Sequence, residues 1–378
     1  ERRMTKAAEL AKMGEVLTNS QLGERKNMVI NGGMEICQRS TSVTGLGGSE
    51  VYFVQDRYKI GLGDATAGRF TATKETSDVP DGFKSAMKLA CTTADTSIAA
   101  GEFFAINQHI EADICVRTAA GTSSAKEVTL SFYAKANANA TYVVQLLNNK
   151  HSGYIHNNRT FSVTTSWQRF TMTFQADTTA DSKFDGDLTA GGFSLAFILH
   201  AGSNYTSATL ASDWATGVTN RAAGADSFFD STSNTFFLTG VQLELGNQAT
   251  SFEHLSTGES LNMCQRYYYR RTISSAGFNN EYFSAVYAYG TTDVQGGQLH
   301  PVQMRAIPSV TFDGILKITN GSAAASHTGA SSFSFTSYSS VDNLSLYTHS
   351  GCFSGLTQHR SYMMYGDTND FIEVSSEL

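Results

Sequence analysis

Proline is almost missing from this chain, with 3 in 378 residues, and charge is scarce at 16% of positions. An average globular chain is roughly 25% charged, so disorder driven by charge is excluded. Collagen is excluded as well, because it needs abundant proline and a glycine at every third position. No stretch approaches the roughly 18 apolar residues of a membrane-spanning helix. The longest apolar region, Ala134 to Leu147, is broken repeatedly by Lys, Asn and Thr. Five cysteines (Cys37, Cys91, Cys115, Cys264 and Cys352) contain no CxxC, which removes zinc ribbons and thioredoxin-like redox centres. An odd, scattered set reads as small buried hydrophobes in a reduced chain, in keeping with synthesis in a bacterial cytosol. No secretory signal is visible. The opening Glu1-Arg2-Arg3-Met4 reads as a processed or truncated product.

Net charge is −7, and residues 1–26 hold six of the basic residues and four of the acidic ones. The remainder is therefore mildly acidic. Phosphate backbones need a concentrated basic face, so nucleic acid is not the expected partner. Catalytic signatures are missing too. There is no GxSxG, HExxH or P-loop, and no GxGxxG between a strand and a helix. Gly61-Leu62-Gly63 lies within a strand-like run and says nothing about nucleotides.

What is abundant is Gly (33), Phe (24) and Tyr (16), set among many Ser, Thr and Asn. Over residues 1–17, Leu10, Met13 and Leu17 recur with helical spacing beside Ala7, Ala8 and Ala11, predicting a short amphipathic helix. Two turns of apolar seam need a partner, so residues 1–26 read as an attachment or oligomerisation leader and linker. From Asn27 the helical period disappears. Short β-branched and aromatic runs replace it, each bounded by Gly, Asn, Asp or Ser: Val51–Val54, Arg57–Leu62, Arg69–Thr73, Ser85–Leu89, Phe103–Ile110, Glu127–Ala134, Tyr142–Leu147, Trp167–Phe174, Phe193–Leu199 and Thr235–Leu243. Ten such runs without intervening helices predict a sandwich or jelly roll over residues 27–255. A smaller C-terminal β-domain is expected over 256–378, with strands at Tyr282–Tyr289, Gln298–Met304, Ser309–Phe312, Ser332–Ser339, Leu344–Tyr347 and Phe371–Val374. Leu261–Arg271 fits either a helix or a strand. The fold class is all-β.

Aromatics flanked by amides and hydroxyls are the best functional lead, since such faces suit sugar rings. Tyr154, Tyr205 and Trp214 fall in loop-like sequence and are the candidate ligand-binding residues. Tyr142 belongs with them by composition, whereas Trp167 opens a strong strand and is expected in the core. Glu35 near the start of the sandwich and Gln242 and Glu244 near its end are candidate oxygen ligands for one structural Ca²⁺. Exposed polar strand ends are the plainer reading of those three, and no other cofactor is expected. His151 and His156 read as a polar loop rather than a metal pair. Asp181, Asp185 and Asp187 are the candidate carboxylates for glycoside hydrolysis, and read more simply as a solvated loop.

Several ordered strings carry a resemblance: Asn27–Arg39 (NMVINGGMEICQR), Asp56-Arg57-Tyr58, Val128–Lys135 (VTLSFYAK) and Ser166–Phe174 (SWQRFTMTF). They continue with Val241–Glu253 (VQLELGNQATSFE), Cys264–Arg271 (CQRYYYRR), Pro301–Val310 (PVQMRAIPSV) and Phe371–Leu378 (FIEVSSEL). Together they resemble tail-fibre and related receptor-binding proteins of tailed bacteriophages, especially marine ones. The usual Arg-Gly after the Gln is here Arg39-Ser40. The resemblance implies a jelly roll similar to carbohydrate-binding modules, then a smaller β-domain, assembled as a homotrimer. It implies a virion fibre, spike or tail protein that contacts a host-surface glycan and joins other virion proteins through its N-terminal segment. It carries over no catalytic or glycan-contacting residue. The expected function is non-enzymatic host attachment without membrane insertion. The alternatives are a structural virion component without ligand, such as a capsid decoration or fibre shaft, and a glycan depolymerase.

Overall fold

The computed structural model describes residues 25–64, 66–153, 155–274, 281–315, 317–321, 326–328, 339–347 and 351–378. The helix expected over residues 1–17 lies outside them, as does most of Ser332–Ser339. The chain divides into two compact units, Glu1–Ser260 and Leu261–Leu378.

The first unit is a two-sheet sandwich of eleven strands: β1 (Ser42–Leu46), β2 (Lys59–Leu62), β3 (Arg69–Glu75), β4 (Ala86–Thr93), β5 (Phe103–Glu111), β6 (Val128–Ala136), β7 (Ala140–Asn148), β8 (Ile155–Val163), β9 (Gln168–Phe174), β10 (Gly191–Ala201) and β11 (Thr235–Leu245). One sheet runs β1-β3-β4-β11-β6-β9 and the other β2-β5-β10-β7-β8. From β4 onward the chain crosses between sheets at nearly every connection, which is the winding of a jelly roll. Alternation explains why these residues form strands. Leu130, Phe132 and Ala134 of β6 face Phe104, Ile106 and Ile110 of β5 and Leu195, Phe197 and Leu199 of β10 in one core. Phe132 packs edge-on against Phe161 and Phe197, with centroids 5.1 and 5.0 Å away. Each such pair adds about 0.5–1.5 kcal/mol beyond its area.

Residues 27–36 lie along β11 and close the sandwich. Met28 N–H donates to Leu243 C=O at 2.8 Å, and Val241 N–H to Gly32 C=O at 2.9 Å. A Cβ on Gly32 would sit 2.0 Å from Val241 O, so that close approach demands glycine. Asn31 Nδ2 donates to the carbonyls of Ile36 and Asp56, while the Asp56 carboxylate accepts from Gln38 N and Nε2. Asp56, Arg57 and Tyr58 are all buried. The NMVINGGMEICQR string therefore runs along β11, and the DRY string anchors its end through Asp56.

In the second unit a three-stranded sheet, β12-β20-β15, packs against a six-stranded one, β17-β16-β19-β13-β14-β18. Their ranges are β12 Tyr268–Thr272, β13 Ser284–Ala288, β14 Val294–Leu299, β15 Ser309–Asp313, β16 Lys317–Thr319, β17 Ser326–Thr328, β18 Asn343–Tyr347, β19 Ser361–Tyr365 and β20 Phe371–Ser375. Tyr269, Ile372 and Val374 meet Phe283, Val286, Ile318 and Met364 in a separate core.

Two expectations need correcting. Val51–Val54 makes only a bridge, Tyr52 to Lys59, because Phe53 and Val54 turn into the core. Past Leu299 the run Gln298–Met304 leaves the sheet, since Pro301 has no N–H to donate. The ambiguous Leu261–Arg271 resolves into both forms: a helix, Thr257–Gln265, and then β12. Ser256 and Glu259 cap that helix reciprocally, Ser256 N–H donating to Glu259 Oε2 at 2.9 Å and Glu259 N–H to Ser256 Oγ at 3.3 Å.

Candidate functional site

The outward face of the five-stranded sheet is unusually polar for a surface that is largely covered. Register places Lys59, Asn107, Ala196, Gln145 and Asn158 in one row across β2, β5, β10, β7 and β8. The next row holds His109, Ser194, Leu147 and His156. A third carries Gly61, Ala105, Ile198, Val143 and Thr160. A Cβ on Gly61 would lie 2.1 Å from Asn107 Nδ2, so the glycine is the bed on which that amide rests.

Residues 203–226 roof part of this face. The segment folds on itself through Ala211 N to Asn220 O (3.0 Å) and Ala222 N to Tyr205 O (2.9 Å), and docks on β8 through an Ala215–His156 bridge. Phe103, Ala105, Val143, Ala196, Ile198 and Ala222 form an apolar patch beneath it, with Tyr205 packed alongside. The buried polar groups under the roof form a chain. Arg221 Nη2 donates to Gln145 Oε1 (2.7 Å), Gln145 Nε2 to Asn158 Oδ1 (2.9 Å), and Asn158 Nδ2 lies 2.9 Å from His156 Nδ1. His156 Nε2 stands 2.8 Å from Gly217 O, so a neutral imidazole with its proton on Nε2 satisfies both contacts. Burial, joined by the Arg221 charge, lowers the His156 pKa in agreement.

Beyond the roof the face is half-open. Lys59, Asn107, His109, Leu147 and Asn149 are half-buried. Ser194 Oγ ties His109 Nδ1 (2.5 Å) and Asn149 Nδ2 (2.7 Å) together. Burial first, then the Lys59 and Arg57 charges, bring the His109 pKa down to about 4, so its ring is neutral at physiological pH. Asn107 Oδ1, Asn220 Oδ1 and Arg221 Nε are buried polar atoms without a hydrogen-bond partner. The Arg221 guanidinium lies 4.9 Å from the Phe103 ring and 5.8 Å from Tyr205, a cation–π arrangement. Rigid strands thus present amide and imidazole groups, and the roof adds the Arg221 guanidinium beside an aromatic ring.

Of the aromatics singled out in the sequence, Tyr205 belongs to this site. Its ring packs on Phe103 at 4.9 Å. Trp214 is on the same segment but packs elsewhere: it stacks on the core residue Phe193 at 5.9 Å and donates from Nε1 to Gln175 O at 2.8 Å. Tyr154 lies outside the described residues. Tyr142 is not an exposed aromatic. It is 2% exposed and packed against Phe161 and Phe236, because β7 turns its even positions inward. Trp167 is not in the core either, being half-buried beside Phe237 with its Nε1 donating to Asp78 Oδ1 at 3.1 Å.

Gln242 and Glu244 do meet: Gln242 Nε2 donates to Glu244 Oε1 at 2.8 Å. That carboxylate also accepts from Thr250 N (2.9 Å) and Thr250 Oγ1 (2.7 Å). Glu35 faces Lys84 at 3.5 Å. Asp185 pairs with Lys150 at 2.5 Å, and Asp187 accepts from Thr189 N and Oγ1, both at 2.8 Å. Those hydrogen bonds hold both carboxyl groups below their usual range.

Asn107, His109, Gln145 and Arg221 were not singled out in the sequence. For the first two a signal existed: Ala105, Asn107 and His109 are the outward positions of an otherwise apolar strand. Gln145 and Arg221 gain meaning only from the roof.

No family model matches the chain, and no curated protein does. Among solved structures the chain is similar to a module described as CBM4 (16% identity over 57% of this chain and 97% of that one, TM-score 0.29). It is also similar to TmCBM61 in complex with β-1,4-galactotriose (10% identity, 58% and 99%, TM-score 0.30). A third is the enzymatically active domain of Bacteriophage CBA120 tailspike protein 4 (14% identity, TM-score 0.29), where 58% of this chain matches 21% of that one.

Proposed function

We propose that the chain is a non-enzymatic glycan-binding protein whose ligand lies on the half-open outer face of the five-stranded sheet. One observation carries this reading: the face sets half-buried Lys59, Asn107, His109 and Asn149 side by side on rigid strands, with the Tyr205 ring on the neighbouring roof segment. A sugar supplies hydroxyls that donate and accept, and a C–H face that stacks on an aromatic. Asp185 and Asp187, tied to Lys150 and to Thr189, read as a solvated loop rather than a catalytic pair.

The finer reading is a phage virion fibre or spike that attaches particles to a host surface as a homotrimer, with residues 1–26 as its attachment or oligomerisation element. It rests on the ordered strings from Asn27 to Leu378. Weak single-site sugar binding gains strength through several copies on one particle. Incubation with intact host cells and purified envelope polysaccharide tests both levels. Retention on cells without release of reducing ends is expected. Release of reducing ends would mark a depolymerase, and no retention would leave a structural virion component. Deleting residues 1–26 should lower the oligomeric state and leave both β-units folded; an unchanged assembly contradicts that role.

A further inference from the structure

Three ligand-type side chains meet where β4 hands over to β5, apart from the glycan face. Asp95 follows β4, Glu102 precedes β5, and His200 is the next-to-last residue of β10. One ligand atom from each lies within 4.8 Å of the others, and the residues are only 4%, 7% and 0% exposed. His200 Nε2 and Glu102 Oε2 are 3.2 Å apart. Two ligands at about 2.0–2.2 Å from one tetrahedral ion would be separated by roughly 3.3 Å.

The groups behind these atoms are fixed as outer partners of a metal site are. His200 Nδ1 stands 2.8 Å from Ser227 Oγ, which also accepts from Phe229 N at 3.1 Å. The Asp95 carboxylate accepts from Thr66 Oγ1 (2.6 Å), Ala67 N (2.8 Å) and Ser97 N (3.2 Å). The Phe229 ring lies edge-on to His200 at 5.5 Å. Charge is out of balance. Two carboxylates, Asp95 and Glu102, are buried together, and the His200 imidazole lies 3.2 Å from Glu102. Excess negative charge in a low-dielectric interior is costly, and a divalent cation removes that cost.

We propose that Asp95, Glu102 and His200 bind one divalent cation of the Zn²⁺ class, tying the β4–β5 connection to β10. An imidazole with two carboxylates favours a first-row transition ion, whereas Ca²⁺ takes six to eight oxygen ligands. Three protein ligands leave a fourth position for water.

The test uses the full chain stripped with EDTA, titrated separately with Zn²⁺ and Ca²⁺, and loaded with Co²⁺ as a spectroscopic probe. One Zn²⁺ per chain, an unfolding temperature that rises with Zn²⁺, and tetrahedral Co²⁺ absorption are expected. Glu102→Gln and His200→Asn should each weaken Zn²⁺ binding by about 100-fold or more, and the surface control His254→Gln should not. The proposal is overturned by a thermal midpoint that ignores Zn²⁺ together with octahedral Co²⁺. Preference for Ca²⁺, or undiminished Zn²⁺ binding in both variants, overturns it equally. The wild-type titration and spectrum decide even where a variant does not fold.

Discussion

Arg221 Nη2 donates to Gln145 Oε1 at 2.7 Å, joining the C-terminal part of the 203–226 segment to the middle of β7. The same guanidinium covers the Phe103 ring, so one side chain fastens the roof by a hydrogen bond and by stacking. Burial lowers its pKa, and among the described residues no carboxylate forms an ion pair with it. The roof therefore depends on this side chain beyond its charge.

Replacing it should loosen the roof without unfolding the sandwich. Arg221→Met is expected to lower stability by about 1–2 kcal/mol. Limited proteolysis should then cut within residues 203–226 faster than in the wild type. An unchanged cleavage rate would show that the segment is held by its own backbone turns.

The core gives a larger effect. Phe132 is fully buried between Phe161 and Phe197, so Phe132→Ala leaves a cavity among rings that cannot collapse fully. A loss of about 3–5 kcal/mol is expected in denaturant titrations. A loss below about 1 kcal/mol would mean that this part of the sandwich is loosely packed.

Acid should destabilise the first unit through its histidines. The His109 pKa is lowered from 6.5 to about 4 in the fold, so below 6.5 the unfolded chain binds the proton first. Stability is thus fully present above about pH 6.5 and is lost as pH falls toward 4. His156 is shifted in the same direction. Thermal midpoints measured from pH 7 to 4 should fall, and His109→Gln should flatten part of that fall. An equal slope in the variant would refute the assignment.

Burial pushes the thiols of Cys37 and Cys115 up to about 12. At pH 8 their thiolate fraction is very small, so iodoacetamide should modify them at least about 100-fold more slowly in the native chain than in denaturant. Mass spectrometry after timed alkylation reads this directly, and rapid native labelling of either residue would contradict it.

Much of the sandwich was legible in the sequence because inward positions alternate with polar ones: Glu127–Ala134 and Phe193–Leu199 read as strands at sight. β8 did not. In Ile155–Val163 the outward residues His156 and Asn158 are polar yet buried, since a segment some fifty residues later roofs them. A pattern of His and Asn looks like a loop until that cover is known. Tyr142 failed for a related reason, polar neighbours hiding the parity that turns it inward. Tyr205 was found because loop aromatics are few, but its partners Phe103 and Arg221 are brought to it by tertiary structure alone. The NGG and DRY strings stood out without showing their roles, which depend on the distant strand β11 for the first and on Gln38 and His109 for the second.

The central claim is glycan recognition by the half-open face, and binding to an array of bacterial surface polysaccharides tests it most directly. Wild-type chain should bind at least one glycan. Asn107→Ala and Lys59→Ala should each weaken that binding by about tenfold, roughly 1.4 kcal/mol, with unchanged thermal midpoints. Binding that survives both substitutions at full strength, or no binding to any glycan, would contradict the account.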